Sequence, residues 1–450
     1  MEAPGARVSP RRVALILLLL LVVVLAGCNT ASSSAARPTV SPTQTRDPSQ
    51  ALYVVEGANN STTPWYVVAL AKESGKTLWR YNLGNIERFD PLQIGSTVYV
   101  ATNLTAGSQS STLRALDAAT GKVRWSHTTP GAIGAPPTVS VDGSLLFVTS
   151  GLIGANSDGL IEALRPADGS VAWHASVNGT PSGATAEGSG VFLIAGAMVL
   201  AFNLQTGAAL WSYDAGYPIA LGDRQDEKAP LVDGGRMLIE PIARGPDGTA
   251  QMPLIALDVT TGKVEWSSPT VGIESWPALD SGFVYVESTS QTNSASLVYG
   301  IDVSNGESNW IYESPEPSIT NVPAADNLHV YITVGGNGTE TVDAVVALNE
   351  ATGEQSWSQS LKRAQVNISA PAMLYDDDMV GTLDTGSNCF AAFMQRDGSK
   401  QWCKALPDLD LVHATVQDGI IYTGEKTAAH PAGEFAAIRF SDGAVLWTAS

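Results

Sequence analysis

Nine times along this chain a glycine is followed, four residues later, by a tryptophan, within segments such as ALDAATGKVRW, ALDVTTGKVEW and AFNLQTGAALW. The tryptophans are Trp79, Trp125, Trp173, Trp211, Trp266, Trp310, Trp357, Trp402 and Trp447, spaced 38 to 55 residues apart and mostly 44 to 48. A period of that size points to a propeller or solenoid rather than one compact multi-layer domain.

Each slot of the repeat has its own chemistry. Six residues before the glycine stands Ala in eight copies and Gly300 in the sixth, so this slot admits no bulk. The next residue is always large and apolar, from Leu70 through Phe202 to Ile438. Directly before the glycine only Ser, Thr, Asp or Asn occurs, and such short polar side chains hydrogen-bond to turn backbone. The glycine supplies the positive φ that a tight, bulged hairpin requires. The tryptophan then opens the following strand, where it covers a wide apolar area and its N–H seeks an acceptor.

Upstream of the hairpins lie β-rich runs such as STVYVAT, GVFLIAG and GFVYVES, preceded in turn by short segments marked by Pro or Gly. Each repeat therefore reads as four short antiparallel strands, the pattern of a propeller blade. No long helical period follows residue 27, which disfavours helical repeats. Residues 89–450 supply eight complete four-strand units. Residues 51–82 add a ninth hairpin with one preceding strand, LYVVEG, and no innermost strand. An eight-bladed ring with the first unit packed as an extension is the favoured count; a nine-membered ring with one thinner blade is the alternative.

The motif A-L-D-x-x-T-G-K-x-x-W, met in full at Ala115–Trp125 and Ala256–Trp266, resembles the repeat of the pyrroloquinoline-quinone (PQQ)-like propellers, and the resemblance spans residues 51–450. It implies an all-β propeller. It leaves function open, because the superfamily includes quinone-dependent alcohol and glucose dehydrogenases as well as the non-catalytic lipoproteins of outer-membrane barrel assembly. A quinone enzyme needs aromatic faces around the cofactor, a calcium held by carboxylate and amide oxygens, and a carboxylate base. Neither an adjacent-cysteine pair nor a C-x-x-C-H haem motif is present. The tryptophans, one per blade, fit interblade packing instead.

The N-terminus reads as a targeting device. Arg11 and Arg12 precede fourteen apolar residues, Val13 to Ala26, too short for a standard membrane span. Leu25-Ala26-Gly27-Cys28 resembles the bacterial lipoprotein box, which makes Cys28 the expected lipidated first residue after removal of residues 1–27. Residues 28–50 then form a Ser/Thr/Pro-rich tether, which as a flexible coil spans roughly 25 Å. The chain carries 25 basic and 44 acidic residues, a formal charge of −19. Without residues 1–27, which hold Arg7, Arg11, Arg12 and Glu2, the balance is 22 against 43, or −21. That balance argues against nucleic acid and against electrostatic docking on anionic lipid. Besides Cys28 there are only Cys389 and Cys403, which flank one repeat turn; whether they bond depends on the hairpin register.

Motifs for other chemistry are lacking. Asp376-Asp377-Asp378 and Asp408-Leu409-Asp410 lack the oxygen spacing of a calcium loop and read as solvated loops. The five histidines, His127, His174, His329, His413 and His430, are scattered over different repeats without metal-ligand spacing. No nucleophile elbow, Walker loop or dinucleotide fingerprint stands in a suitable context. The expectation is thus a non-catalytic, lipid-anchored propeller that binds protein partners at the cell envelope, with no cofactor and no metal. A PQQ- and Ca²⁺-dependent oxidoreductase, or a small-ligand sensor using the central channel, is the alternative.

Overall fold

The computed structural model describes residues 48–449, apart from 57–63, 85–88, 104–109, 152–157, 222–228, 245–249, 269–276, 290–294, 316–317, 320–322, 336–341, 363–373, 377, 385–386, 388, 406–413 and 426–433. Among the described residues nine antiparallel sheets of three to five strands, the blades, follow one another along the chain, with one further two-stranded sheet. Blade 1 has three strands, Ala51–Glu56, Trp65–Ala71 and Thr77–Gly84. Blade 2 is typical of the rest, with four strands, Leu92–Ile94, Thr97–Thr102, Ser110–Asp117 and Val123–Pro130, paired in chain order. Blade 5 carries an extra hairpin of Ala243–Arg244 and Ala250–Gln251 between its second and third long strands.

The strand register explains the sequence slots. In every blade the small residue lies directly opposite the tryptophan, as in Ala115↔Trp125, Ala256↔Trp266 and Gly300↔Trp310. The indole covers that position, so a Cβ on Gly300 would meet Trp310 Cε2 at 2.3 Å. The register shifts at the next residue, giving a bulge that turns the indole outward to the adjacent blade. Before each glycine, the Ser, Thr, Asp or Asn side chain accepts a hydrogen bond from the N–H two residues on, at 2.7 Å for Asn305 and 3.5 Å for Ser74. The nine glycines have φ between 64° and 74°.

Tryptophan joins blade to blade. Trp79 lies over Gly121 of blade 2, so closely that a Cβ there would approach its ring to 2.6 Å. Its Nε1 donates to the carbonyl of Ala118, three residues before that glycine, at 2.8 Å. The same pair of contacts recurs from Trp125 to Gly169 and Pro166, and onward through every blade to Trp402, Gly443 and Phe440. The last step closes the ring: Trp447 lies over Gly75 of blade 1 and donates to Lys72 O at 2.6 Å. Under each indole packs the large apolar residue of the next blade. Leu164 lies beneath Trp125 and Leu70 beneath Trp447. Among the described residues the core is accordingly nine apolar clusters, one for each seam.

The ring therefore has nine blades, and the favoured count of eight is corrected. Blade 1 lacks an inner strand among the described residues, but ring membership depends on the hairpin glycine and the outer-strand tryptophan. It possesses both. Closure is by this seam alone, since among the described residues no sheet mixes strands from the two ends of the chain.

Candidate functional site

The repeat tryptophans are fully engaged in the seams. In eight blades the indole also packs against an aromatic residue of its own blade, in seven of them two strands away in the sheet, such as Tyr99 beside Trp125 with ring centroids 5.8 Å apart. Trp266 packs with Leu238 and Val284 instead. With one face on a glycine and the N–H donated to a carbonyl, these side chains do not fit the open aromatic plates that would hold a quinone.

Buried polar groups stand at several places in and beside the seams. Between blades 2 and 3, His127 Nε2 meets Glu162 Oε2 at 3.1 Å. Burial opposes ionisation of Glu162, but hydrogen bonds from His127 and Thr129 outweigh it and hold its pKa below the ordinary carboxylate value. Between blades 6 and 7, the Tyr285 hydroxyl donates to Glu350 Oε1 at 2.8 Å, and Trp310 Nε1 donates to the Glu350 carbonyl at 2.8 Å. Burial, followed by the nearby Asp280 and Asp326 carboxyls, raises the Glu350 pKa. Tyr331 O–H donates to Asp326 Oδ2 at 2.7 Å, beside His329. In blade 5, Glu240 is 5% exposed among Ile194, Ile219, Leu238 and Leu254. Its Oε1 has no hydrogen-bond partner, and burial pushes its pKa up to about 8.

His127–Glu162 and Tyr285–Glu350 link neighbouring blades, Tyr331–Asp326 lies within blade 7, and none of these groups forms a nucleophile–base pair. Among the described residues, the one trio of His, Cys, Asp or Glu side chains whose ligand atoms lie within 4.8 Å of one another is Asp384, Cys389 and Cys403. The two cysteines are bonded as a disulfide, with Cα atoms 5.5 Å apart. His174 is exposed on the outer strand of blade 3, while His413 and His430 lie outside the described residues. Asp376 ends the inner strand of blade 8, and Asp378 sits exposed in the turn that follows, where its carbonyl accepts from Gln395 N–H at 2.9 Å. Asp377, Asp408, Asp410 and Cys28 lie outside the described residues.

On the surface, an open cleft of about 490 Å³ separates the turns of blades 3 and 4, walled by Leu145, Arg165, Pro166, Ala172 and Gln205. Exposed Val171 and Leu210 stand on the outer strands of the same two blades. Sequence reading missed this cleft because its walls come from distant turns. Its one local signal is Arg165-Pro166, standing where most copies have an Asp or Asn that caps the turn.

No helix among the described residues is long and apolar enough to cross a membrane. Comparison with curated proteins finds no significant sequence match. Among solved structures, the chain is similar to BamB from Moraxella catarrhalis, at 16% identity and TM-score 0.49, covering 78% of this chain and 95% of that one. It is also similar to AztD from Citrobacter koseri in its apo form, at 8% identity and TM-score 0.48, covering 89% and 95%. A third likeness is to quinohemoprotein alcohol dehydrogenase from Comamonas testosteroni, at 14% identity and TM-score 0.43, covering 89% and 76%. The model of the family described as outer membrane protein assembly factor BamB matches residues 65–312 and 313–450. With both matches together spanning all but the first 64 residues and nine seams built on the repeat, the chain belongs to this family of PQQ-like β-propellers.

Proposed function

We propose that this protein is a non-catalytic, lipid-anchored propeller that acts as a protein-interaction scaffold at the bacterial cell envelope. The observation that carries the reading is the family match over nearly the whole ring. The use of all nine repeat tryptophans in packing supports it, since none of these nine side chains is an open plate for a quinone. The sequence Leu25-Ala26-Gly27-Cys28 supports an anchor at Cys28, with the ring held outside the cytoplasm by a polar tether. In this role the closed ring is a rigid frame, and loops and blade edges meet the partner. Such surfaces need no cofactor and no metal.

The reading is tested by adding PQQ and Ca²⁺ to the purified protein and following cofactor absorbance and dye reduction with alcohols and sugars. The expected result is neither saturable binding nor turnover. Saturable binding accompanied by turnover would replace the scaffold with a quinone-dependent oxidoreductase.

A further inference from the structure

The disulfide lies in an unusual setting. Cys389 begins the strand Cys389–Met394 and is buried in the core between blades 7 and 8. Cys403 lies on the outer strand Lys400–Lys404 and is exposed. Cys403 stands opposite Ala391, so the bridge runs diagonally across the pair of strands. On the other side of Cys389, directly opposite it in register, is Asp384 at the end of Met379–Asp384. That carboxylate is 2% exposed. Its Oδ1 accepts the N–H of Lys362 from blade 7 at 2.9 Å and of Ser387 at 3.2 Å. Its Oδ2 faces Lys400 Nζ at 3.4 Å.

We propose that this staple is a redox-gated metal site: on reduction, Cys389, Cys403 and Asp384 together bind one thiophilic divalent cation of the zinc type. A dithiol reductant gives up two electrons and two protons and leaves as a cyclic disulfide, while the protein S–S bond breaks to two thiols. The cation then displaces both thiol protons and binds two thiolates and the carboxylate.

The geometry suits this ligand set. Zinc bonds thiolate sulfur at about 2.3 Å and carboxylate oxygen at about 2.0–2.2 Å in a tetrahedral arrangement. Neighbouring ligand atoms are then roughly 3.5–3.8 Å apart. The three groups already lie within 4.8 Å of one another, so side-chain rotation suffices to gather them. Oδ1 is occupied by two backbone donors, which orients the carboxylate and leaves Oδ2 as the ligand atom. The Lys400 side chain is 38% exposed, so its ammonium can withdraw toward solvent while still favouring the thiolate forms electrostatically. A water completes the fourth position. The exposed Cys403 gives both reductant and cation a path from the outer rim.

The test uses the purified full chain, reduced with a phosphine, desalted and titrated with Co²⁺ as an optical stand-in for zinc. One equivalent should produce sulfur-to-cobalt charge-transfer bands and tetrahedral d–d bands, both bleached by Zn²⁺. The oxidised protein should show neither. Cys403→Ser should abolish the charge-transfer bands, and Asp384→Asn should weaken binding about tenfold or more. Near-ultraviolet circular dichroism of the tryptophans monitors the fold, and a Cys389→Ser/Cys403→Ser double variant reports the fold without the bridge. Absence of thiolate bands in the reduced, folded protein would overturn the proposal. So would unchanged affinity in Asp384→Asn, or loss of the fold on reduction, since the site needs the intact register of blade 8.

Discussion

Replacing Trp447 by Ala attacks the ring where its two ends meet. The indole is 8% exposed, packs with Leu70 and Tyr422, and covers Gly75. Its N–H donates to Lys72 O, 375 positions away in sequence, at 2.6 Å. Truncating a buried aromatic costs about 3–5 kcal/mol. Roughly 1 kcal/mol of that belongs to the hydrogen bond. Trp266, at 9% exposure with its own 2.9 Å bond to Val303 O, is the natural control inside the ring. In a closed nine-blade ring the two Ala variants lose similar stability, within about 1 kcal/mol, the usual context scatter. Trp447→Phe, which keeps most of the packing and removes the N–H, should lose about 1–2 kcal/mol. Urea unfolding followed by far-ultraviolet circular dichroism, with midpoints and slopes compared at equal protein concentration, measures each loss. A Trp447→Ala loss below about 1 kcal/mol alongside a full loss for Trp266→Ala would show that blade 9 does not lock onto blade 1.

Glu240 predicts a pH dependence. Its folded pKa of about 8 exceeds its ordinary value of 4.5, so the native state holds the proton more tightly than the unfolded chain. Its contribution is full below pH 4.5 and is lost progressively up to pH 8, a change of up to about 5 kcal/mol at ~1.4 kcal/mol per unit. Glu240→Gln should therefore be more stable than the parent at pH 9, with a flatter stability profile across that window; coincident profiles would refute the burial argument. Gly398→Ala sets a Cβ 2.5 Å from the Trp357 ring at φ +67°, so denaturation should show a loss beyond the ~1–2 kcal/mol of the left-handed backbone alone. Cys28→Ser should move the protein out of the membrane fraction without changing its melting temperature, because a tether separates anchor from ring.

The repeat was legible in the sequence because each slot serves a local purpose. A small residue stands opposite Trp125 at Ala115, a polar acceptor at Thr120 caps the turn, and Gly121 bends it. Those same nine copies contained the seam, since the glycine and tryptophan that shape one hairpin also meet the neighbouring blades. Sequence alone favours eight blades because the first unit has no inner strand, whereas the contacts of Gly75 and Trp79 place that unit in the ring. Other features depend on residues brought together only by closure. Glu350 and Tyr285 are 65 positions apart, and nothing local to either announces a buried pair. Glu240 is one carboxylate in an acidic chain until Ile194 and Ile219 of the preceding blade and connector enclose it. The bond between Cys389 and Cys403 likewise depends on a register shift at Ala392–Phe393 that no composition rule locates.

The scaffold reading is tested most directly by cross-linking in intact cells, with a photoreactive residue placed at exposed Leu210 beside the cleft of blades 3 and 4, and at exposed Val445 on blade 9. Recovered adducts are identified by mass spectrometry. One dominant envelope protein is expected among the adducts, and it is lost when Trp447→Ala weakens the closing seam. A spread of unrelated neighbours in proportion to their abundance, unchanged by Trp447→Ala, would contradict the scaffold reading.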